Sequence, residues 1–294
     1  MTVRGILYLV ATPIGNLGDI SFRAVEVLKQ VAWIACEDTR HSQPLLHHYG
    51  ITGRLLTVHE HNEGERVTVV LKYLSAGESV ALISDAGTPL INDPGFPLVR
   101  AAIEAGFRVV PLPGACALIS ALCGSGLPTH RFSFEGFPPR KSTARIALLE
   151  DLRYDPRTLV FYEASHRVRD FLSDVGRVFP GDRPLVIARE LTKRFETLVR
   201  TTVETASVRV DEEADMQKGE FVILIAGHPE THPDETRTRE ALRVLKLLMA
   251  ECSLKTAVNL TVNITGARKD EVYREALRIR SGEPCQVTGD DPRG

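Results

Sequence analysis

Through the first 115 positions, short apolar runs of strand length alternate with segments whose apolar residues recur at helical spacing. Ile6–Val10, Trp33–Cys36, Ser79–Ser84 and Phe107–Leu112 are such runs. Phe22, Val25, Leu28 and Val31 share one helical face, with Asp19 or Ser21 placed to cap it. Arg66–Leu74 and Pro97–Ala105 read as further helices, and Leu118–Leu122 opens another. A strand that is apolar throughout is buried on both faces, so this alternation predicts α/β architecture with a mostly parallel sheet.

Gly124–Pro128 reads as a link, after which the pattern changes. Phe132–Phe137, Thr158–Tyr162, Leu185–Ala188, Glu196–Thr201 and Phe221–Ala226 are strand candidates, with a helix over Ala144–Asp151 and the polar stretch Asp211–Lys218. His166 and Arg167 open the helix that follows the second of these strands. His228–Pro233 reads as a linker, and Thr238–Cys252, Leu254–Thr265 and Lys269–Arg280 as a small helical unit with Gly266 in a turn. The expected organisation is an N-terminal α/β domain over 1–126, a second over 127–228, a helical unit over 229–281 and a disordered tail over 282–294.

Composition places the chain among soluble globular proteins: 43% hydrophobic and 25% charged residues in 294. No apolar stretch is long enough to cross a bilayer, and the N-terminus reads as a strand rather than a signal peptide. Five cysteines (Cys36, Cys116, Cys123, Cys252, Cys285) without ligand spacing predict reduced thiols in a cytoplasmic protein. The formal net charge of −2 conceals a local imbalance. From Thr129 to Arg200, fourteen Lys and Arg face ten Asp and Glu, and from Glu235 to Arg280 ten face six. Arg140-Lys141, Arg167 with Arg169, and Arg268-Lys269 fall in loops or at helix starts, where phosphates are often gripped. A solvated face balanced by acids is the plainer reading of the same excess.

Candidate chemistry gathers where strands end. Thr12–Asn16, Asp85–Pro89 and Pro113–Ala117 follow three of the apolar runs, and ligands of open α/β sheets bind beyond such carboxyl ends. In ALISDAGTPLINDPG, Gly87 offers backbone without a Cβ, Pro89 and Pro94 stiffen the loop, and Asp85 and Asp93 supply acceptors. There is no dinucleotide fingerprint and no P-loop. His47-His48 and His59-Glu60-His61 have no third ligand at familiar spacing, so no metal is expected. Cys116 and Cys123 have no partnering His motif for thiol chemistry.

LYLVATPIGNLGDISFRAVEVLK, CEDTRHSQPLL, HEHNE, LISDAGTPLINDPG, LPGACALISAL, FEGFPPRK, FYEASHR and RELTKRFE follow one another in this order. Together they closely resemble the tetrapyrrole methylase family, in its branch that modifies small-subunit ribosomal RNA. The resemblance covers about residues 6–227, and the helical unit is similar to that branch's C-terminal extension. It implies two α/β domains with a cofactor cleft between them and a homodimer. It also implies methyl transfer from S-adenosylmethionine to the ribose 2′-hydroxyl of a decoding-site cytidine in 16S rRNA within the small ribosomal subunit. The implied cofactor-binding residues are Pro13, Asp85, Ala86, Gly87, Thr88, Pro89, Ile91, Pro113, Gly114, Cys116, Ala117, Tyr162 and Leu191. Backbone groups of Gly87 and Ala117 would orient the cofactor. Thr88 departs from the Gly-Asp-Pro of the wider family, and Tyr162-Glu163 stands where tetrapyrrole enzymes carry Tyr-Met. The implied RNA contacts are Arg40, Arg140, Lys141, Arg167, Arg268 and Lys269.

Glu163 is the candidate catalytic residue, expected beside the cleft and acting on the ribose hydroxyl or through an arginine that positions the target. The competing reading is a carboxylate that merely favours a helix dipole. Two other functions share these features: a tetrapyrrole or protein methyltransferase of the same fold, and a non-catalytic ribosome-binding protein.

Overall fold

The computed structural model describes residues 4–59, 62–212, 218–229 and 233–281. Its first sheet is built from β1 (Ile6–Val10), β2 (Trp33–Cys36), β3 (Arg54–Thr57), β4 (Val80–Ile83) and β5 (Arg108–Leu112). The strands are all parallel, in the order β3-β2-β4-β1-β5. Side chains of β4 show why its run is unbroken: Ala81 and Ile83 enter the core under α1 (Phe22–Gln30), while Val80 and Leu82 enter that under α3 (Glu63–Ser75) and α4 (Phe96–Glu104). Ser21 caps α1 by accepting from the Ala24 amide at 3.1 Å, as one of the two expected residues.

Two elements of this lobe were not anticipated. Asp38 caps α2 (Thr39–His48) by accepting from the Arg40 amide at 2.8 Å, and Pro44 lies within that helix. The edge strand β3 has one buried residue, Leu56, and so no apolar run to announce it.

The second sheet consists of β6 (Phe132–Gly136), β7 (Thr158–Ala164), β8 (Pro184–Arg189), β9 (Thr197–Thr202) and β10 (Glu220–Ile225). Its order is β6-β7-β10-β8-β9, with β6 and β7 parallel and the other pairs antiparallel. One face buries Leu159, Phe161, Leu185, Ile187, Phe221 and Ile223 against α6 (Ser142–Leu152), α7 (Val168–Val178) and α8 (Val203–Glu212). The helix α7 presents Val168, Phe171, Leu172, Val175 and Val178, the i, i+3, i+4, i+7 stripe of a core-facing helix.

The other face of this sheet receives α5 (Ala117–Ser125), which follows the first sheet in sequence. Leu118, Ala121 and Leu122 pack on Val160, Val186, Ala188, Val222 and Leu224. The helix runs into the expected link and is closed by Gly126, at φ 81°. Residues 1–227 form one compact unit that holds both sheets.

The second unit starts at His228. Within it α9 (Pro233–Glu251), α10 (Leu254–Thr265) and α11 (Lys269–Ser281) bury Ala241, Leu245, Val258, Val272 and Ala276 together. Gly266, at φ 68°, ends α10 in the expected turn. The expected disordered tail and Cys285 lie outside the described residues. The other four cysteines are free thiols. No helix of the described residues is long and apolar enough to cross a membrane.

Candidate functional site

The carboxyl ends of β1, β4 and β5 lie side by side and their loops are tied to one another. Thr12 and Gly87 exchange backbone hydrogen bonds of 2.9 and 3.0 Å, and the Thr12 hydroxyl donates to the Ser84 carbonyl at 3.0 Å. Thr88 donates its hydroxyl to the Ala115 carbonyl at 2.9 Å and so fastens the β4 loop to the β5 loop.

Two glycines make this packing possible. A Cβ on Gly114 would lie 2.6 Å from that of Ala11. Gly87 holds φ at 85°, and a Cβ there would sit 3.2 Å from Ile14 Cγ2. Its N–H and carbonyl are both taken by Thr12, so the expectation that Gly87 offers its backbone to a ligand is corrected. Gly87 instead shapes the loop.

Beyond β5, Cys116 and Ala117 start α5, whose first amides have no acceptor within the helix. That of Leu118 donates to the Tyr162 hydroxyl at 3.1 Å, joining α5 to β7. Burial pushes the Tyr162 phenol well above its ordinary range, so it stays protonated. Ile14, Ile91, Ala115, Cys116, Ala117, Tyr162 and Leu191 belong to one apolar cluster, with Pro13 half-buried and Pro89 buried nearby in sequence. The structure thus brings the loops bearing most of the expected cofactor residues into one place. Asp85, Ala86, Pro113 and Gly114 are exposed on them.

Carboxylates crowd the ends of β2 and β4. Asp85 accepts from the Asp38 amide at 3.4 Å and meets His41 Nδ1 at 3.1 Å. Asp93 lines a cleft of about 360 Å³ together with Glu37 and Glu63, and its Oδ2 is buried without a partner. Burial, then the charges of Glu37 and Asp85, push its carboxyl up to about 6, against a hydrogen bond from Ser84. Glu37 is raised by burial and by Asp85. Among the described residues no group of three or more His, Cys, Asp or Glu could hold a metal. Glu60 and His61 of the His-Glu-His segment lie outside the described residues.

Glu163 does not face this cleft. Successive strand residues point to opposite faces. Val160 and Tyr162 face α5, whereas Leu159, Phe161 and Glu163 belong to the α6–α7 side. The Glu163 side chain is 0% exposed, and its Oε1 lies 3.2 Å from Arg167 Nε. Burial raises its pKa, and the Ala164 amide and Arg167 oppose that. Direct action on a substrate hydroxyl is therefore excluded by parity and burial. The contact with an arginine is present.

That arginine is itself committed. Arg167 is 16% exposed and donates to the Pro138 carbonyl, which corrects its assignment as a free RNA contact. Arg145, hidden in α6, bonds Asp174 through Nε at 2.8 Å and reaches the carbonyls of Pro139 and Arg140 at 3.3 Å each. Both Arg145 and Asp174 are under 5% exposed. Sequence reasoning missed this pair. Its signal was Arg145 standing four residues before buried Leu149, on the inward stripe of α6.

Of the remaining RNA candidates, Arg140 and Lys141 are exposed at the start of α6, and Arg268 and Lys269 after the Gly266 turn. Arg40 is exposed but grips Asp38 through two nitrogens at 3.1 and 2.7 Å, which draws the Asp38 carboxyl down to about 2.

Known proteins bear on this arrangement. The family described as Tetrapyrrole (Corrin/Porphyrin) Methylases matches residues 6–207, and the RsmI C-terminal HTH domain matches residues 235–280. A Pseudomonas aeruginosa protein named ribosomal RNA small subunit methyltransferase I is 52% identical over 93% of this chain and 97% of its own length. Its Escherichia coli O157:H7 namesake is 49% identical over 93% and 95%. Among solved structures, a diphthine synthase superposes with a TM-score of 0.58 at 15% identity, covering 76% of this chain and 90% of its own. A cobalt precorrin-4 methyltransferase does so with 0.56 at 18%, covering 75% and 94%. The chain belongs to the tetrapyrrole methylase family, in the branch of the small-subunit ribosomal RNA methyltransferases I.

Proposed function

We propose that this protein uses S-adenosylmethionine to methylate the ribose 2′-hydroxyl of a cytidine in the decoding region of 16S rRNA. It acts as a cytoplasmic homodimer on the small ribosomal subunit. The observation that carries the reading is the convergence of the β4 loop, the β5 loop and the start of α5 above Tyr162. The relatives' names support the substrate, and a uroporphyrin-III C-methyltransferase of the same fold was solved with S-adenyl homocysteine.

The residues present fit the cofactor. Ile14, Ile91, Cys116, Ala117, Tyr162 and Leu191 belong to one uncharged cluster, and the first amides of α5 other than that of Leu118 would offer donors to an anionic or polar end. Bound there, S-adenosylmethionine supplies an electrophilic methyl group on a sulfonium whose charge vanishes on transfer. An uncharged cluster leaves that loss of charge unopposed. A ribose hydroxyl is a poor nucleophile, so the enzyme's main task is to hold it in line with the methyl group. Arg140, Lys141, Arg268 and Lys269 are the exposed cations assigned to phosphates.

Ribose-methylation mapping of 16S rRNA from cells with and without the protein tests the reading. One cytidine should lose its methyl group in the deletion, and purified protein should restore it on isolated small subunits. An unchanged map, or methylation of a porphyrinoid instead, would overturn it. Replacing Arg268 and Lys269 with Ala should flatten the salt dependence of subunit binding by roughly 0.7–0.9 in log–log slope for each phosphate no longer neutralised. Calorimetry should show cofactor affinity unchanged. A wild-type slope would remove both residues from the interface.

A further inference from the structure

The loop between β6 and α6 is held from beneath with unusual thoroughness. Three consecutive carbonyls, those of Pro138, Pro139 and Arg140, accept from buried or nearly buried guanidiniums: Arg167 for the first, Arg145 for the other two. Each guanidinium is in turn held by a buried carboxylate, Glu163 or Asp174. Ser142 also donates to Asp174, at 2.9 Å. Four charged side chains are thereby withdrawn from solvent to fix one short stretch of backbone. A surface loop with no task has no use for such support.

What the loop presents is an aromatic ring among cations. Phe137 is 51% exposed, and Arg140 and Lys141 beside it are exposed as well. The Phe137 ring meets Tyr162 in an edge-type contact, with centroids 5.7 Å apart and planes at 63°, and Tyr162 meets Phe134 in the same way at 4.8 Å. The exposed ring therefore continues an aromatic series that begins at the cluster assigned to the cofactor.

We propose that Phe137 is a stacking platform for an unpaired base of the RNA substrate, with Arg140 and Lys141 holding the adjoining phosphates. The inference rests on the function proposed above and deepens it. An enzyme that must present one ribose to a cleft has to draw that nucleotide out of its stack, and an exposed ring compensates the lost stacking. The positive charge selects an anionic partner over an apolar protein face. The paired guanidiniums make Glu163 and Arg167 positioning residues, acting on the substrate through the Pro138 carbonyl.

The test uses the full-length protein with Phe137→Leu and Phe137→Trp, assayed on purified small subunits. Leu keeps an apolar side chain but has no ring face, so kcat/KM should fall about tenfold to a hundredfold, the range of one base–aromatic stack. Cofactor affinity measured by calorimetry should stay within twofold, and Trp should return kcat/KM to within threefold of wild type. Leu with wild-type kinetics would overturn the proposal, as would loss of activity in both variants. A change in sedimentation of the Leu variant that accounts for its loss would also overturn it, marking Phe137 as a contact between protein chains. Wild-type protein that methylates no small subunit would overturn the functional reading, and this inference with it.

Discussion

The ends of β4 and β7 are built from similar residues and do opposite things with them. After β4, Asp93 sits among the carboxylates of Glu37 and Asp85, and burial together with their like charge pushes it up to about 6. Leu90 and Asn92 there hold φ at 73° and 67°, in the left-handed region that non-glycine residues avoid. At and beyond β7, Glu163 faces Arg167, and Asp174 faces Arg145. Around Asp93 the first region keeps like charges together and strained backbone, the usual marks of a place shaped for a ligand. In the second, opposite charges are paired and buried, which fixes geometry. Charged residues at a strand end are thus not one signal but two, and the presence of a counter-ion tells them apart.

The sharpest way to break this contrast is Asp174→Ala. It leaves Arg145 buried and unpaired, which should cost about 3–5 kcal/mol of stability. Urea unfolding at neutral pH would show it. A loss under 1 kcal/mol would mean that the pair does not hold the α6–α7 layer.

Asp93→Asn should move stability the other way. Asp93 titrates near 6 in the folded protein and near 4 in an unfolded chain. The unfolded chain gives up this proton first, so stability falls as pH rises from about 4 to about 6 and stays lower above that. Asparagine removes the penalty. The full difference is roughly 3 kcal/mol, reduced to about 1–2 kcal/mol by solvent at a partly open site. Melting curves should show the gain at pH 7–8 and none below pH 4. A gain of the same size at pH 4 and pH 8 would mean that the charge of Asp93 is not its source.

Glu163→Gln should have the smallest effect. The amide keeps an acceptor for Arg167, so cofactor affinity should be unchanged and methylation of small subunits reduced by only a few fold. A loss of a thousandfold with normal binding would restore Glu163 to the reaction itself.

Much of this architecture is legible in the sequence. The parallel sheet was readable because β1, β2 and β4 are apolar on both faces, and the strand-end loops because Gly87 and Gly114 interrupt apolar runs. The helix α2 escaped notice because its Thr39–His48 stretch is polar and carries Pro44, although Asp38 was a fair capping signal. The orientation of Glu163 follows from counting alternate residues back to Phe161 and Leu159, a parity that sequence does carry. That the Gly87 backbone is taken by Thr12 was not legible, because the pair joins the β1 loop to the β4 loop across 75 positions of sequence.

The placement of α5 has a consequence for synthesis. Leu118, Ala121 and Leu122 leave the ribosome early, but the sheet that covers them is complete only when β10, ending at Ile225, has emerged. Translation adds about 5–20 residues per second. The apolar side of this helix therefore stays uncovered for roughly 5–20 seconds on every nascent chain, the interval in which a chaperone would find it.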